Sequence, residues 1–253
     1  MKDMSQDMQI GKVEQSFRRG LKTYHRSATQ QAQIAARLAE VMSQHVPSKL
    51  GRVLEFGMGT GHLTQQLQDT FEIEQFIVND LVEDCASFAP HDASFEGGPI
   101  EELALPEQMD LICSASTVQW IEDLPTTIER FANALKPGGW IALSGFGHQQ
   151  FHELRALGST AAAPNYMDAD DWQSALPKFL KIRHVSQNQT VEWLPDALTL
   201  LKHLRDTGVN GASSSSWTNK DLQAFEIDYK SRFGTSKGLP LTYDPVWVLA
   251  QKV

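Results

Sequence analysis

Three glycines in the segment VLEFGMGTGHLT (53–64) follow an acidic residue at a spacing that could hold a small ligand. Gly57, Gly59 and Gly61 alternate with other residues, and Glu55 lies two positions before the first of them. Because glycine has no Cβ, such a backbone can adopt positive φ angles and come unusually close to a bound molecule. The chemistry to explain is therefore the binding of a ligand by a glycine loop with a carboxylate beside it.

The segments around this loop predict the elements that hold it. RVLEF is typical of a buried strand, and HLTQQLQDTF follows it with the apolar spacing of a helix. Further strands are predicted at QFIVND, MDLICSAST and WIALSGF, and a helix at LPTTIERFANAL. This alternation is typical of a parallel, doubly wound sheet, which binds its ligands at the carboxyl ends of its strands.

The alternation of strands and helices breaks after Phe146. Residues 147–176 and 194–240 are predicted to form helical lids over the carboxyl edge of the sheet, and FLKIRHVSQNQTVEW is predicted as one long strand. We expect a single domain over 1–253 in three parts, which are an N-terminal helical cap (13–46), a cofactor-binding half (50–146), and the lid segments with the last strands (147–253).

The composition excludes several classes of protein. The 253 residues are 41% hydrophobic and 21% charged, a balance typical of a soluble globular protein. A net charge of −9 argues against general nucleic-acid binding, and no apolar run is long enough to cross a bilayer. The N-terminus lacks the apolar segment of a secretory signal. Cys85 and Cys113 lie in unrelated contexts, so we expect a reduced, cytoplasmic protein without a disulfide framework.

Two cofactor classes bind at a strand, a glycine turn and a helix, and the spacing separates them. NAD sites use GxGxxG, whose third glycine lets the helix pack closely, whereas His62 occupies that position here. The pattern E-x-G-x-G-x-G and the later LKPGG turn (135–139) resemble the class I S-adenosylmethionine (SAM) methyltransferases. Asp80 ends the next strand, 23 positions after Gly57, where a carboxylate can accept both ribose hydroxyls, as it also does in NAD sites. SAM is the predicted cofactor, and NAD is the distant alternative.

The resemblance also implies which residues form the cofactor site. In that family the acid before the glycines orients the loop and reaches the cationic methionine end of SAM, a role that falls to Glu55. Leu81, Ile100 and Ser114 complete the predicted cofactor-binding set. Many members place an aspartate after the third strand to bind the adenine amino group, but Pro99 stands there. Packing against Ile100 and backbone groups are expected to hold the adenine instead.

Four other stretches resemble the malonyl-acyl-carrier-protein O-methyltransferases of biotin synthesis, in the order found in that family. They are F-x6-Y-x3-A-x2-Q (Phe17, Tyr24, Ala28, Gln31), STVQW (116–120), LKHLRDTGVN (201–210) and LTYDPVWVLAQK (241–252). The resemblance spans nearly the whole chain. It implies an α/β, Rossmann-like class I methyltransferase fold, with a mixed seven-stranded sheet, helices on both faces and helical lid insertions. The implied reaction moves a methyl group from SAM to the free carboxylate of a malonyl thioester.

The candidate acceptor-site residues lie in these stretches. A carboxylate is already ionised at neutral pH, so the enzyme needs alignment and removal of water rather than a strong base. Tyr24 would close over the SAM methyl group, and Gln119 follows a strand at the carboxyl edge. Arg205 would grip the carboxylate bidentately, and Tyr243 would supply a hydroxyl. The plainer interpretation is a packed aromatic for Tyr24 and Tyr243 and a solvated helix charge for Arg205.

The partner and several alternatives stay open at this point. The implied partner is an acyl carrier protein that carries a malonyl group, or malonyl-coenzyme A. Carrier proteins are acidic, so docking on this acidic chain would depend on local basic clusters. RRGLKTYHR (18–26) and KFLKIRH (178–184) are two such clusters, and each is equally a solvated face. The alternatives are a methyltransferase for another small carboxylate or amine, and a non-catalytic SAM-binding protein. No metal, nucleic-acid or membrane partner is predicted.

Overall fold

A computed structural model describes residues 14, 15, 18, 21, 28–159, 163–207 and 218–253. In chain order its elements are α1 (Thr29–Ser43), β1 (Lys49–Phe56), α2 (His62–Thr70), β2 (Glu72–Asp80), β3 (Ala93–Gly97), β4 (Met109–Ala115), α3 (Leu124–Ala134), β5 (Leu135–Phe146), α4 (His152–Ala156), α5 (Asp171–Ala175), β6 (Leu180–Gln187), β7 (Thr190–Leu194), α6 (Ala197–Asp206), α7 (Asn219–Phe233), β8 (Leu239–Tyr243) and β9 (Pro245–Lys252). Short 3-10 helices occupy Glu83–Phe88 and Val118–Trp120.

The chain forms two compact units. The first, called the sheet unit, comprises Thr29–His148, Ala163–Asn188 and Pro245–Val253. The second, called the insertion unit, comprises Gln149–Ala162 and Gln189–Asp244 together with the described part of Met1–Ala28. Residues from 163 to 176, which were predicted as part of a lid, therefore group with the sheet.

The seven-stranded sheet has the order β3-β2-β1-β4-β5-β9-β6. Strands β1 to β5 pair in parallel, whereas β9 runs antiparallel to both β5 and β6. This arrangement confirms the predicted Rossmann-like fold with a mixed seven-stranded sheet. The strand order reverses between β1 and β4, so the carboxyl ends of these two strands form the edge at which such sheets bind ligands.

Helices cover the two faces of this sheet. The indole of Trp247 on β9 donates to the carbonyl of Ile34 in α1 at 3.0 Å. Its neighbour Val248 packs instead in the apolar cluster that includes Ile128 and Phe131 of α3. Adjacent residues of a strand point to opposite faces, so α1 and α3 lie on opposite sides of the sheet.

The segment predicted as an N-terminal helical cap is not one continuous helix. Glu14, Gln15, Arg18 and Leu21 are helical, but Ala28 is not, and α1 begins only at Thr29. The other residues between 13 and 27 lie outside the described part of the chain.

The insertion unit contains a two-stranded sheet, β7 with β8, and the helices α4, α6 and α7. The segment FLKIRHVSQNQTVEW therefore forms two strands in different sheets, and its prediction as one strand was wrong. Asp196 caps α6 by accepting from the amide of Thr199 at 2.7 Å, and Thr218 and Asp221 form a capping box on α7. That the two units act as one domain stays a prediction.

Candidate cofactor and acceptor sites

The glycine loop between β1 and α2 uses the conformational freedom of all three glycines. The φ angles of Gly57, Gly59 and Gly61 are 64°, 55° and 85°. At Gly57 the space is also restricted, because a Cβ atom there would lie 2.1 Å from Oγ1 of Thr117. A side chain at this position would clash with the turn after β4, so the backbone itself forms the surface of the loop.

Asp80 braces this loop from the end of β2. Its Oδ2 accepts from the amide of Gly59 at 2.8 Å, and its Oδ1 accepts from the amide of Val82 at 2.8 Å. The side chain is 8% exposed, and burial raises the pKa of its carboxyl despite these two hydrogen bonds. The thiol of Cys85 also bonds to this carboxyl, and the lone-pair capacity that remains is available to a ribose hydroxyl. The bracing role was not predicted from the sequence.

Glu55 is the second acid beside the loop, and it is almost completely buried. It is 1% exposed, and burial raises the pKa of its carboxyl to about 8. Thr64 opposes this rise, and the nearby charge of Asp80 adds to it. Oε2 of Glu55 has no hydrogen-bond partner among the described residues. A buried acceptor without a partner is unfavourable, so this carboxylate suits a cationic ligand such as the methionine ammonium of SAM.

The turn after β3, where an adenine would bind, is held by backbone contacts. The side-chain amide of Asn79 donates to the carbonyl of Gly98 at 2.9 Å. The guanidinium of Arg130 donates to the carbonyl of Ile100 at 3.3 Å, and Ile100 itself is buried in the core cluster. Pro99 lies between these two anchored residues and is half-buried. Neither Asn79 nor Arg130 was identified from the sequence, because their partners are distant along the chain.

Ser114 and Leu81 are the two remaining predicted cofactor-binding residues. Ser114 is fully buried, and its hydroxyl donates to the carbonyl of Phe56 at 2.7 Å, which ties β4 to the end of β1. Leu81 directly follows Asp80 and is half-buried. Contact of either residue with the cofactor stays a prediction.

Gln119 lies in the turn that follows β4, at the carboxyl edge, as its sequence position predicted. The side chain is 4% exposed, and its Nε2 donates to the carbonyl of Ser116 at 2.7 Å. Its Oε1 has no partner among the described residues. Thr117, in the same turn, lies beside the glycine loop, with Oγ1 3.4 Å from the carbonyl of Gly57. The turn that contains Gln119 therefore contacts the predicted cofactor loop through Thr117.

Tyr243 belongs to a buried polar cluster in the insertion unit. Its hydroxyl lies 2.6 Å from Nε2 of His203, and the same nitrogen lies 3.5 Å from Oε2 of Glu192. The ring of Phe151 packs edge-on against Tyr243, with centroids 5.0 Å apart. The position of the hydroxyl is thus fixed by His203, a residue that the sequence analysis did not identify as functional.

Arg205 lies on the exposed face of α6. Its side chain is 70% exposed, and its Nε lies 3.6 Å from Oδ1 of Asp206. This is the environment of a solvated helix charge, which was the plainer of its two interpretations. Tyr24, the remaining predicted acceptor residue, lies outside the described residues.

The basic cluster KFLKIRH lies at the end of the sheet opposite to the glycine loop. Lys181 on β6 pairs with Gln251 of β9, whereas the carboxyl end of β5, at Phe146, pairs with Pro245 at the opposite end of β9. This cluster therefore lies at the amino ends of the parallel strands, away from the glycine loop. Most of the first cluster, 18–26, lies outside the described residues.

One group of potential metal ligands occurs in the described part of the chain. Potential ligand atoms of His148, Asp168 and Asp171 lie within 4.8 Å of one another. These residues already bond to each other, with Nε2 of His148 3.0 Å from Oδ2 of Asp171. His148 and Asp171 are exposed and Asp168 is half-buried, and the hydrogen bonds among the three residues join the segment after β5 to the start of α5.

Comparison with known proteins agrees with this geometry. A family model described as a methyltransferase domain matches residues 25–197. The malonyl-[acyl-carrier protein] O-methyltransferase of Acinetobacter baylyi is 32% identical, over 95% of this chain and 96% of the relative. The enzyme of the same name from Prosthecochloris aestuarii is 34% identical, over 95% of this chain and 92% of the relative.

Solved structures show the same fold at low identity. The N-methyltransferase NodS of Bradyrhizobium japonicum, in complex with S-adenosyl-L-homocysteine, has a TM-score of 0.56 at 16% identity, over 95% of this chain and 98% of that one. The YcgJ protein of Bacillus subtilis has a TM-score of 0.59 at 14% identity, over 85% of this chain and 98% of that one. Across the described ranges, no helix is long and apolar enough to span a membrane.

Proposed function

Because the chain belongs to the malonyl-[acyl-carrier protein] O-methyltransferase family, we propose that it methylates the free carboxylate of malonyl-acyl carrier protein. It is a SAM-dependent methyltransferase. The observation that carries the cofactor assignment is the glycine loop with positive φ angles, placed between the buried carboxyls of Glu55 and Asp80. The acceptor assignment is supported by the similarity to named relatives over almost the whole length of both chains.

The residues of the sheet unit suit the different parts of SAM. Oε2 of Glu55 is a buried acceptor available to the methionine ammonium, and Asp80 retains lone pairs for the ribose hydroxyls. The backbone of Gly57 and Gly59 allows close approach, and Ile100 offers an apolar surface to the adenine. SAM, when bound, supplies a methyl group on a positively charged sulfur.

The chain must also align and desolvate the acceptor. A malonyl carboxylate is ionised at neutral pH, so no residue is required as a general base. The resemblance supports an acceptor contact for Gln119 of the sheet unit, and separate acceptor contacts for Tyr243 and Tyr24 are predictions from the resemblance alone. Arg205 stays a proposed carboxylate anchor on the resemblance alone, and its side chain is 70% exposed in the structure. Methylation hides the charge of the malonyl group, and the resemblance assigns the product to fatty-acid elongation towards biotin.

The test is intact-protein mass spectrometry of malonyl-acyl carrier protein after incubation with this protein and SAM. A gain of one methylene is expected on the malonyl carrier and not on an acetyl carrier, because only malonyl has a free carboxylate. Malonyl-coenzyme A is tested in parallel as the simpler thioester. If SAM binds but neither malonyl compound gains a methylene, the acceptor assignment is wrong. The cofactor assignment then stands by itself, and other small acids and amines become the candidates.

A further inference from the structure

Ser116, the first residue after β4, has an unusual backbone conformation. Its φ angle is +59°, in the left-handed region that favours glycine over residues with a side chain. Its amide holds this conformation by donating to the carbonyl of Ser144 at 3.0 Å, with Oγ of Ser144 at 3.1 Å. A non-glycine residue in this conformation is locally unfavourable, and such residues cluster at functional sites.

The environment of the Ser116 hydroxyl is energetically unfavourable as well. Its Oγ is buried and has no hydrogen-bond partner among the described residues. Oε1 of Gln119, in the same turn, is also buried and without a described partner. Each buried polar atom without a partner reduces stability, and such atoms are rare in native proteins. A turn that contains two of them is suited to a polar ligand.

The turn lies at the place where a methyl acceptor would meet the cofactor. Its next residue, Thr117, is packed so closely against the glycine loop that only glycine fits at position 57. The strands β1 and β4 are neighbours, and the strand order reverses between them. Their carboxyl ends are thus the expected ligand position in a sheet of this kind.

We propose that Ser116 binds the methyl acceptor, its hydroxyl donating a hydrogen bond to one carboxylate oxygen of the malonyl thioester. This inference rests on the proposed function. The second carboxylate oxygen forms the new bond to the methyl carbon while the carbon–sulfur bond breaks, its electron pair passing to sulfur, and no proton moves. This contact is an alternative to the Arg205 anchor, because a bidentate guanidinium would form a full ion pair and lower the nucleophilicity of the attacking oxygen, whereas a neutral hydroxyl orients the carboxylate without one.

The experiment compares Ser116→Gly with Gln108→Gly. Gln108 also has a positive φ, of 61°, but it is exposed and precedes β4 at the opposite edge of the sheet. Both substitutions relieve the same kind of backbone strain, and only the first removes the hydroxyl. Ser116→Ala is the third variant, because it removes the hydroxyl and keeps the side-chain Cβ. The measurements are the thermal midpoint, the Kd for SAM, and kcat/KM for malonyl-acyl carrier protein.

The expected result is a more stable but less active Ser116→Gly protein. Its thermal midpoint rises by about 2–4 °C. Its kcat/KM falls about tenfold or more, as does that of Ser116→Ala, and the Kd for SAM is unchanged. Gln108→Gly keeps the wild-type kcat/KM.

Three results would overturn the proposal. The first is a wild-type kcat/KM in both Ser116 variants, and the second is a loss of SAM affinity by the same factor as the loss of kcat/KM. The third is an active Ser116→Ala beside an inactive Ser116→Gly, which would assign the effect to the backbone. A failure of the proposed function is distinguishable, because the wild-type protein itself would then not methylate malonyl-acyl carrier protein.

Discussion

Acidic residues at the carboxyl ends and at the amino ends of the parallel strands, here called the carboxyl edge and the amino edge, have pKa values shifted in opposite directions. At the carboxyl edge, burial raises the pKa of Glu55 and of Asp80, and no described lysine or arginine pairs with either. At the amino edge, Asp110 forms an ion pair with Lys136 and accepts from the amide of Arg52 at 2.8 Å. Burial alone would raise the pKa of Asp110 too, but these hydrogen bonds lower it.

This difference indicates that the carboxyl edge is the one suited to bind a ligand. A buried acid without a cationic partner costs stability, either as an unpaired charge or through the proton that it must keep, and native proteins accept such costs chiefly at functional sites. A ligand that brings a positive charge and two hydroxyls would remove the cost at Glu55 and at Asp80. The acid at the amino edge needs no ligand, because the chain supplies its partners. The electrostatic environments of these acids therefore distinguish the carboxyl edge, where the cofactor is proposed to bind, from the amino edge, where Asp110 stabilises the fold.

The largest effect on cofactor binding is expected from Asp80→Ala. The substitution removes the brace on Gly59 and the proposed ribose contact together, so the Kd for SAM should rise about 100-fold. Isothermal titration with SAM measures this change, and circular dichroism checks that the fold is intact. An unchanged Kd in a folded variant would remove Asp80 from the cofactor site.

A smaller loss of affinity, about tenfold, is expected from Glu55→Gln, which keeps the shape of the side chain. This variant also tests the raised pKa. In the unfolded chain the carboxyl loses its proton near pH 4.5, whereas in the folded protein it keeps the proton to about pH 8. Between these values the folded state binds the extra proton, so the free energy of unfolding falls as the pH rises, by at most about 1.4 kcal/mol per pH unit.

Urea unfolding of the ligand-free protein across this pH range measures the slope. The wild-type protein should lose stability with rising pH more steeply than Glu55→Gln, which has no proton to release at this position. SAM binding should also tighten as the pH rises towards about 8, because the ammonium favours the ionised carboxylate. Equal slopes in the two proteins would show that Glu55 is ionised without the ligand.

The placement of the glycine loop and its two acids at the carboxyl edge could be predicted from the sequence, because the signals are local. The E-x-G-x-G-x-G pattern fixes the acid and the loop within seven residues, and Asp80 is placed by the end of an apolar strand. The bracing contacts could not be predicted, since Asn79 and Arg130 bond to residues that tertiary folding brings near. Ser116 lies in the STVQW stretch that supports the resemblance, but its own role could not be predicted, because nothing in its residue type indicates a positive φ.

The insertion unit was predicted less well, for a related reason. FLKIRHVSQNQTVEW has the composition of one strand, but its two halves pair with different strands, β6 with β9 and β7 with β8. Residue composition does not indicate a change of partner. The exposed position of Arg205 depends on how α6 packs, since the helix buries Leu200 and Leu204 and turns Arg205 outward. A guanidinium suits a carboxylate chemically, but its direction is set by the helix.

The smallest effect on cofactor binding is expected from Asp110→Ala, the matched control at the amino edge. Loss of its hydrogen bonds should lower the free energy of unfolding by about 1–3 kcal/mol and leave the Kd for SAM unchanged. Because the pKa of Asp110 is lowered by folding, its contribution is present above the unfolded pKa near 3.8 and is lost as the pH falls through the folded value. The stability difference between the variant and the wild-type protein should therefore persist at neutral pH and shrink only in strong acid. If Asp110→Ala instead weakened SAM binding as much as Asp80→Ala, the two edges would be coupled, and ligand binding could not be assigned to the carboxyl edge on electrostatic grounds.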